Sequence, residues 1–310
     1  MTRPTSLTPL RALISLALLG ALALWLNPAE VIDRIQGIDF VWLAAALAIG
    51  TLQFVLSAER WRRTAARLEV PLGRREALTS YYVAGFANQV LPGGVAGDAG
   101  RAWRHSRNSG RAGPAVRAVV LERASGQIML FLALLVVLLA TPTGALLLSA
   151  VELPASAGRA ATMLILAGVA VFAIGLVLLA RRPPEWLRAL GRDARHAMLA
   201  RPVWPVQLAL SLAVLATYCA MFVCAAGMIG SEAPAGVLAV LAPVVLLAML
   251  LPISVGGWGV RETAAAGVWV ALGWPAAEGV AISVAYGALS LLASSPGALL
   301  ALSLPTERRH

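Results

Sequence analysis

Two short stretches of this chain combine proline, glycines and an arginine at the same spacing. "LPGGVAGDAGR" runs from Leu91 to Arg101, and "LPISVGGWGVR" runs from Leu251 to Arg261, with Leu, Pro, Val, Gly and Arg at the same five offsets. Proline stops a helix, and glycines let the chain turn sharply and let a ligand approach the backbone. A helix that begins after such a turn directs its positive end at a ligand, and a guanidinium holds two anion oxygens at once. The pattern therefore predicts two helix breaks that form a phosphate-type anion site.

The composition predicts that these breaks lie in a polytopic membrane protein. Of the 310 residues, 59% are hydrophobic and 13% are charged, and the mean hydropathy is +0.80. Such values lie outside the usual range of soluble proteins. The net charge is +10 and every basic residue is an arginine. Because these arginines cluster between long apolar runs, the positive-inside rule explains them better than nucleic-acid binding does.

Apolar runs of about 20 residues are needed to cross a bilayer core about 30 Å thick. Six runs are long enough, at approximately residues 9–27, 40–58, 118–140, 161–180, 205–229 and 279–303. Two further apolar stretches, about 77–97 and 236–273, contain the two breaks and are less regular. The predicted fold is therefore an all-α integral membrane domain spanning residues 1–310.

The distribution of arginine predicts the orientation of the chain. Segments 59–76, 98–117 and 181–201 are rich in arginine and belong in the cytoplasm together with both termini. The stretch 77–97 then has cytoplasmic flanks on both sides, so we expect it to enter the membrane and return. The stretch 236–273 should do the same from the opposite face.

The two breaks would then be inverted copies, within repeat halves of about 40–140 and 205–303. Inverted repeats with broken helices that meet near the bilayer midplane are typical of transporters. Irregular backbone at this depth is tolerated only inside protein or beside a water-filled cavity. Two alternatives remain open: ordinary helices joined by a Gly-rich loop, or a segment 77–90 that lies flat on the membrane.

Charged and polar side chains near the breaks are the candidate binding residues. Arg101 and Arg261 would hold the anion, and Asp98, Glu122 and Glu262 would neutralise or tune the site. The full candidate set is Arg101, Arg261, Asp98, Glu122, Arg123, Glu262, Asn88, Pro92, Gly93, Gly94, Gly97, Pro252, Ser254, Gly256 and Gly257.

Several of these residues also have a structural interpretation. Arg101 is one of the cytoplasmic arginines, and Arg261 can form a pair with Glu262 that holds the break closed. Glu122 can pair with Arg101 or Arg261, and Arg123 can extend to the cytoplasmic surface. Asn88 and Gln89 are expected along the same polar path, and Gln53 should make a hydrogen bond between helices.

No catalytic or metal-binding motif accompanies these residues. The three histidines, His105, His196 and His310, do not occur at metal-ligand spacing, and neither a GxSxG nor an HExxH pattern is present. We therefore expect no metal, no cofactor and no enzymatic activity.

Four motifs together resemble the lysylphosphatidylglycerol synthase transmembrane-region family. They are "RWRR", "GFANQVLPGGVAGDAGRAWR", "ERASGQ" and "LPISVGGWGVRE", and the resemblance extends from about residue 10 to 303. The family pattern at the first break matches at Pro92, Gly93, Gly94, Gly97, Asp98 and Arg101, with Ala96 where glycine is common. The second break matches at Pro252, Ser254, Gly256, Gly257, Gly259, Arg261 and Glu262.

The resemblance implies a flippase-like protein of the bacterial cytoplasmic membrane whose partner is a membrane lipid. The related bifunctional enzyme carries an aminoacyl-transferase domain after its membrane region, and this sequence has none after residue 303, so only lipid translocation is expected. The lipid would be an anionic phospholipid or a polyprenyl-linked phosphate. The alternatives are a membrane-embedded transferase that uses Asp98 or Glu122, and a small-molecule or ion transporter built from inverted repeats.

Overall fold

The protein is helical throughout its described part and contains no β-strand there. The computed structural model describes residues 37–91, 94–149, 184–250 and 254–302, and the isolated positions 17, 20 and 21. The helices are α1 Phe40–Arg67, α2 Arg74–Val90, α3 Ala96–Ser109, α4 Ala112–Ala140, α5 Pro142–Ser149, α6 Glu185–Ala194, α7 Trp204–Met228, α8 Ala235–Leu247, α9 Val260–Ala271, α10 Ala276–Ser294 and α11 Pro296–Leu302. A π-helical turn, Arg195–Leu199, follows α6, and a 3₁₀ turn, Ala248–Leu250, follows α8.

Four helical segments of the described chain are long and apolar enough to cross a membrane. They are α1, α4, α7 and the continuous pair α10–α11. These segments coincide with four of the six predicted runs, so the prediction of an all-α membrane protein is confirmed. The predicted runs 9–27 and 161–180 lie outside the described residues.

The first break is the tip of a helical hairpin formed by α2 and α3. At the other end of the hairpin, Asn108 Nδ2 at the end of α3 donates a hydrogen bond to Glu76 Oε1 in the first turn of α2, at 2.9 Å. One turn earlier, the His105 Nε2 atom lies 2.9 Å from the carbonyl oxygen of Val70, just before α2. The chain therefore returns to the end at which it entered the hairpin.

The second break is the tip of another hairpin, formed by α8 and α9. Ser231 Oγ, before α8, donates a hydrogen bond to Glu278 Oε1 in the first turn of α10, at 2.6 Å. This bond joins the two ends of the α8–α9 segment on the side away from the break. Each half of the molecule thus has the same order of elements: a span, a broken hairpin and a second span.

The first spans of the two halves, α1 and α7, are antiparallel. The amide of Asp39, at the start of α1, donates to the carbonyl of Met228 at the end of α7, at 3.0 Å. At the other end, Gln207 Nε2 donates to Thr64 Oγ1 at 3.1 Å. Since each hairpin follows the end of its span, the bases of the two hairpins lie at opposite ends of the α1–α7 pair.

Two main apolar clusters hold these elements together. The larger one packs α7, α8, α9 and α10 around the buried rings of Phe222, Trp269 and Tyr286. The smaller one packs the end of α1 against α2, α3, α4 and the segment after α6, around Trp61. Aromatic rings in both clusters also enclose the arginines of the breaks.

Candidate functional site

The tips of the two hairpins are in direct contact. Gly256, in the second break, has a φ of +56°, and a Cβ there would lie only 2.6 Å from the carbonyl oxygen of Gln89, next to the first break. Gly94 and Gly257 also have positive φ, at +62° and +83°. Glycine is required at Gly256 both for its left-handed backbone and for this close approach.

A cavity of about 650 Å³ lies beside the touching tips. Both breaks contribute to its wall, through Gly94 and Val95 on one side and Ser254, Gly256 and Gly257 on the other. The polar and charged side chains that line it are those of Gln53, Ser57, Arg60, Tyr81, Asn88, Gln89, Asp98, Arg123, Gln127, Ser211, Tyr218, Ser254, Tyr286, Ser290 and Ser294. The rest of the wall is largely apolar, which is typical of ligand sites.

Five charged residues, four of them buried, form an ionic network at the first break. Arg101 Nε donates to Asp98 Oδ1 at 2.8 Å, and Arg101 Nη2 donates to Glu122 Oε2 at 2.5 Å. Arg60 Nη2 donates to the other Glu122 oxygen, also at 2.5 Å, and Arg123 pairs with Asp98. Three arginines face two carboxylates, so this network, which we call the first network, carries a net charge of about +1.

Arg60 and Arg123 bring the positive charge of the first network to the cavity wall. The Arg60 side chain is 3% exposed, the Arg123 side chain is 39% exposed, and the Nε atom of each has no hydrogen-bond partner among the described residues. A buried polar group without a partner is costly, so these donors are suited to a ligand that supplies an acceptor.

Arg101 holds the network in place without lining the cavity. Its guanidinium lies between the rings of Trp61 and Tyr81, at 4.8 and 4.5 Å from their centroids. Tyr81 also donates from its hydroxyl to Glu122 Oε1 at 3.1 Å. Cation–π contacts of this kind are strongest where water is excluded, so they fix the orientation of the buried Arg101 guanidinium.

Asn88 fixes the start of α3 at the first break. Its Oδ1 atom accepts from the amide of Gly97 at 2.7 Å, and its Nδ2 donates to Asp98 Oδ2 at 2.9 Å. Gly97 packs so closely against α2 that a Cβ would overlap the Ala84 carbonyl. These contacts attach the first turn of α3 to α2 and present Asp98 to the arginines.

The second break contains a smaller and neutral group of charges. Arg261 Nη2 donates to Glu262 Oε1 at 2.6 Å, and Arg261 Nε donates to Ser283 Oγ at 2.8 Å. Glu262 Oε2 accepts from the amide of Gly259 at 2.6 Å and so caps α9. We call Arg261, Glu262 and Ser283 the second network. Both charged residues are fully buried, and neither lines the cavity.

The two motif arginines, Arg101 and Arg261, lie behind the wall of this cavity. The sequence predicts that they hold the anion, and this stays a prediction. Each guanidinium is enclosed by a carboxylate and two aromatic rings, which for Arg261 are Trp258 and Tyr286 at 5.2 and 5.3 Å. The predicted starts of α3 and α9 just after the glycines agree with the structure, but the side chains turn away from the cavity.

The other candidate residues divide into two groups. Those that line the cavity are Asn88, Gly94, Asp98, Arg123, Ser254, Gly256 and Gly257, and those behind its wall are Gly97, Glu122 and Glu262. Pro92, Gly93 and Pro252 lie outside the described residues. Glu122 was expected to pair with Arg101 or Arg261, and in the structure it pairs with Arg101. Gln53 accepts a long hydrogen bond of 3.5 Å from Thr217 on α7, as predicted.

Sequence reasoning missed Arg60, which contributes both to the first network and to the cavity wall. The signal that identifies it is a polar stripe along α1, formed by Gln53, Ser57, Arg60 and Thr64. Spacings of four, three and four residues place these side chains on one face of a helix. In an otherwise apolar span, such a stripe indicates a face that contacts protein or a polar cavity.

The cavity wall reaches the surface of the described structure between α3 and α4. Five lining residues are exposed, and they are Val95, Ala99, Val116, Val120 and Gln127. Four of the five are apolar, and Val95, Val116 and Val120 are exposed by 60%, 43% and 44%. The remaining lining residues are buried or partly buried. The cavity therefore opens, in the part of the chain that the structure describes, beside an apolar border.

The fold and the site define an integral membrane protein with two broken helical hairpins around a polar cavity. Residues 12–297 match the family model described as lysylphosphatidylglycerol synthase TM region. The chain belongs to this family, and hence to a group of membrane proteins associated with lipid-related processes. No curated protein and no solved structure matches the chain. Among the described residues, no group of three or more His, Cys, Asp or Glu side chains is placed to hold a metal ion.

Proposed function

We propose that the protein moves an anionic lipid, a phospholipid or a lipid-linked phosphate, between the leaflets of the bacterial cytoplasmic membrane. The observation that carries this proposal is one cavity with two properties. Its wall includes Arg60 and Arg123 from a network of net positive charge, and its opening is bordered by exposed apolar side chains.

The two properties match the two parts of a lipid. A phosphate would be held by Arg60 and Arg123, since guanidinium groups bind phosphate oxygens with charge-assisted hydrogen bonds. The acyl or prenyl chains would leave the cavity past Val95 and Val120 and remain in the bilayer. A free polar solute has no need of an apolar opening toward lipid, which makes small-molecule transport the weaker alternative.

The arrangement of the hairpins supports a transport mechanism by alternating access. The two hairpins start at opposite ends of the antiparallel α1–α7 pair, and their tips meet beside the cavity. We infer that they enter the membrane from opposite faces, with the arginine-rich segments and both termini in the cytoplasm. Rocking of one half against the other would then open the headgroup site to each leaflet in turn.

The test is exchange of a fluorescent anionic phospholipid between leaflets of proteoliposomes. Arg123→Gln should slow this exchange at least tenfold, because it removes a positive charge and donors from the cavity wall. The matched control is Arg111→Gln. Arg111 is also about half-exposed and pairs with a single carboxylate, Glu69 at 3.0 Å, but it does not line the cavity.

Two results would contradict the proposal. One is wild-type protein that moves none of a panel of anionic phospholipids and polyprenyl phosphates. The other is exchange that responds equally to Arg123→Gln and Arg111→Gln. Formation of a new lipid product in the same vesicles would favour the transferase alternative, in which Asp98 or Glu122 is catalytic. Against that alternative, arginine side chains already occupy both carboxylates.

A further inference from the structure

The cavity has two walls of different chemistry. The first half of the chain contributes Arg60, Arg123 and Asp98. Every residue that α8, α10 and the second break contribute within the described structure is uncharged, and the hydroxyl-bearing ones include Ser254, Ser290 and Ser294. An anionic headgroup that binds the first wall would therefore extend toward a neutral wall of hydroxyl groups.

Ser254 is the member of the neutral wall that most clearly lacks a partner. It is 3% exposed, it lines the cavity, and its hydroxyl makes no hydrogen bond to any described residue. A buried hydroxyl without a hydrogen-bond partner is unfavourable in proteins. Because a hydroxyl both donates and accepts, it can pair with a hydroxyl group of a ligand in either direction.

The only carboxylate of the described wall already has three partners, two of which are arginines. Asp98 Oδ1 accepts from Arg101, Asp98 Oδ2 accepts from Asn88, and the same carboxylate pairs with Arg123. A ligand ammonium group would compete with Arg101 and Arg123 for Asp98, and it would lie in a network that already has a net positive charge. An amine-bearing headgroup is therefore disfavoured on both walls.

We propose that the transported headgroup is a phosphodiester extended by a neutral, hydroxyl-bearing group such as glycerol or a sugar. Arg60 and Arg123 would hold the phosphate, and Ser254 would bind a hydroxyl of the extension and so determine specificity. This inference rests on the proposed lipid translocation and names the chemical class of its substrate.

The experiment compares lipids that carry the same fluorophore in the leaflet-exchange assay. The headgroups are phosphatidic acid, phosphatidylglycerol, phosphatidylglycerol esterified with lysine, and a sugar linked to polyprenyl phosphate. The hydroxyl-bearing anionic lipids should move about threefold to tenfold faster than phosphatidic acid, which corresponds to one hydrogen bond. The lysine ester should move more slowly than any of them. Comparison of the exchange rates of the glycerol-bearing and the sugar-bearing lipid shows which of the two headgroups the protein prefers.

Ser254→Ala should abolish the preference for phosphatidylglycerol over phosphatidic acid. The matched control is Ser295→Ala, because the Ser295 hydroxyl is exposed, donates to the Leu292 carbonyl at 2.7 Å and does not line the cavity. Equal rates for both lipids in wild type, or a lysine ester that moves fastest, would overturn the inference while leaving translocation intact.

A binding measurement separates the failure of this inference from failure of the proposed function. Short-chain phosphatidylglycerol and phosphatidic acid are added to the detergent-solubilised protein, and the unfolding temperature is measured. Greater stabilisation by phosphatidylglycerol in wild type, lost in Ser254→Ala, would support the headgroup assignment even without leaflet exchange. Equal stabilisation of both proteins by both lipids would refute it.

Discussion

The two breaks hold their arginines in the same way but differ in charge. Arg101 and Arg261 each lie between a tryptophan and a tyrosine, and each pairs with a buried carboxylate. At the second break, the one positive and the one negative charge neutralise each other. At the first break, Arg60 and Arg123 join the network and leave a net positive charge beside the cavity.

The difference separates two tasks that the sequence analysis assigned to the same motif arginine. The motif arginine, enclosed by rings, stabilises the turn at the tip of each hairpin. The charge available to a ligand comes from residues outside the repeated motif, Arg60 on α1 and Arg123 on α4. In the proposed function, the first break therefore supplies the charged wall of the cavity, and the second break supplies the neutral wall.

Removal of Glu122 should have the largest effect on this difference. Glu122→Ala leaves Arg60 without a carboxylate and raises the net charge of the first network to about +2. Loss of one partner from a buried ion pair destabilises a protein by about 3–5 kcal/mol. Unfolding of the detergent-solubilised protein with increasing denaturant measures the change. Glu69→Ala, which breaks the exposed pair with Arg111, should cost less than about 1 kcal/mol; equal losses would show that the first network is not buried as described.

The two glycine turns should also respond differently to alanine. Gly256→Ala combines a left-handed backbone with a Cβ too close to the Gln89 carbonyl, and it should destabilise the protein by about 2–4 kcal/mol. Gly94→Ala should cost only about 1–2 kcal/mol, the cost of a left-handed backbone conformation. No atom lies within 4 Å of its Cβ position, so no steric clash is added. The same denaturant unfolding compares the two variants. A larger loss for Gly94→Ala would mean that the tips are not in contact at Gly256.

Replacement of both members of a pair tests whether Arg261 and Glu262 neutralise only each other. Arg261→Met combined with Glu262→Leu should remain within about 2 kcal/mol of the wild-type stability, since apolar groups of similar volume often replace a buried pair without loss. Arg101→Met combined with Glu122→Leu should lose more stability than this, because Arg60 keeps an unpaired charge. Thermal unfolding of the two double variants is the measurement. Equal losses of stability would contradict the distinction between the networks.

The smallest predicted effect concerns the opening between α3 and α4. Val120→Trp narrows this opening and should slow lipid exchange about threefold, which corresponds to about 0.7 kcal/mol in the barrier. Val136→Trp is the control, because Val136 is 60% exposed on the same helix and does not line the cavity. Equal rates for the two variants would place the lipid path elsewhere.

The sequence was sufficient to predict the four described spans and the positions of the two helix breaks. Long apolar runs predicted α1, α4, α7 and α10, and the Pro–Gly patterns predicted where two helices break. These features depend on local composition, and the arginine in each motif follows a turn whose geometry requires glycine. The start of α9, directly after Gly259, is such a case.

The walls of the cavity were harder to predict because they depend on contacts between distant segments. Arg60 lies opposite Ser211, 151 residues further along the chain. The direction of the Arg101 side chain is set by Trp61 and Tyr81, which belong to two other helices. Spacing within the motif places an arginine near a helix start, but it does not specify which neighbouring rings will enclose it.

The position of the charged partners along the chain has a consequence for biosynthesis. All members of the first network lie between residues 60 and 123, and Arg261 is adjacent to Glu262. Each half can therefore neutralise most of its buried charge as it leaves the ribosome and enters the bilayer, before the other half is available. Contacts that join the halves, such as Thr64 with Gln207 and Arg60 with Ser211, have a neutral partner in the second half. Late assembly of the two halves then requires no transfer of an unpaired charge through lipid.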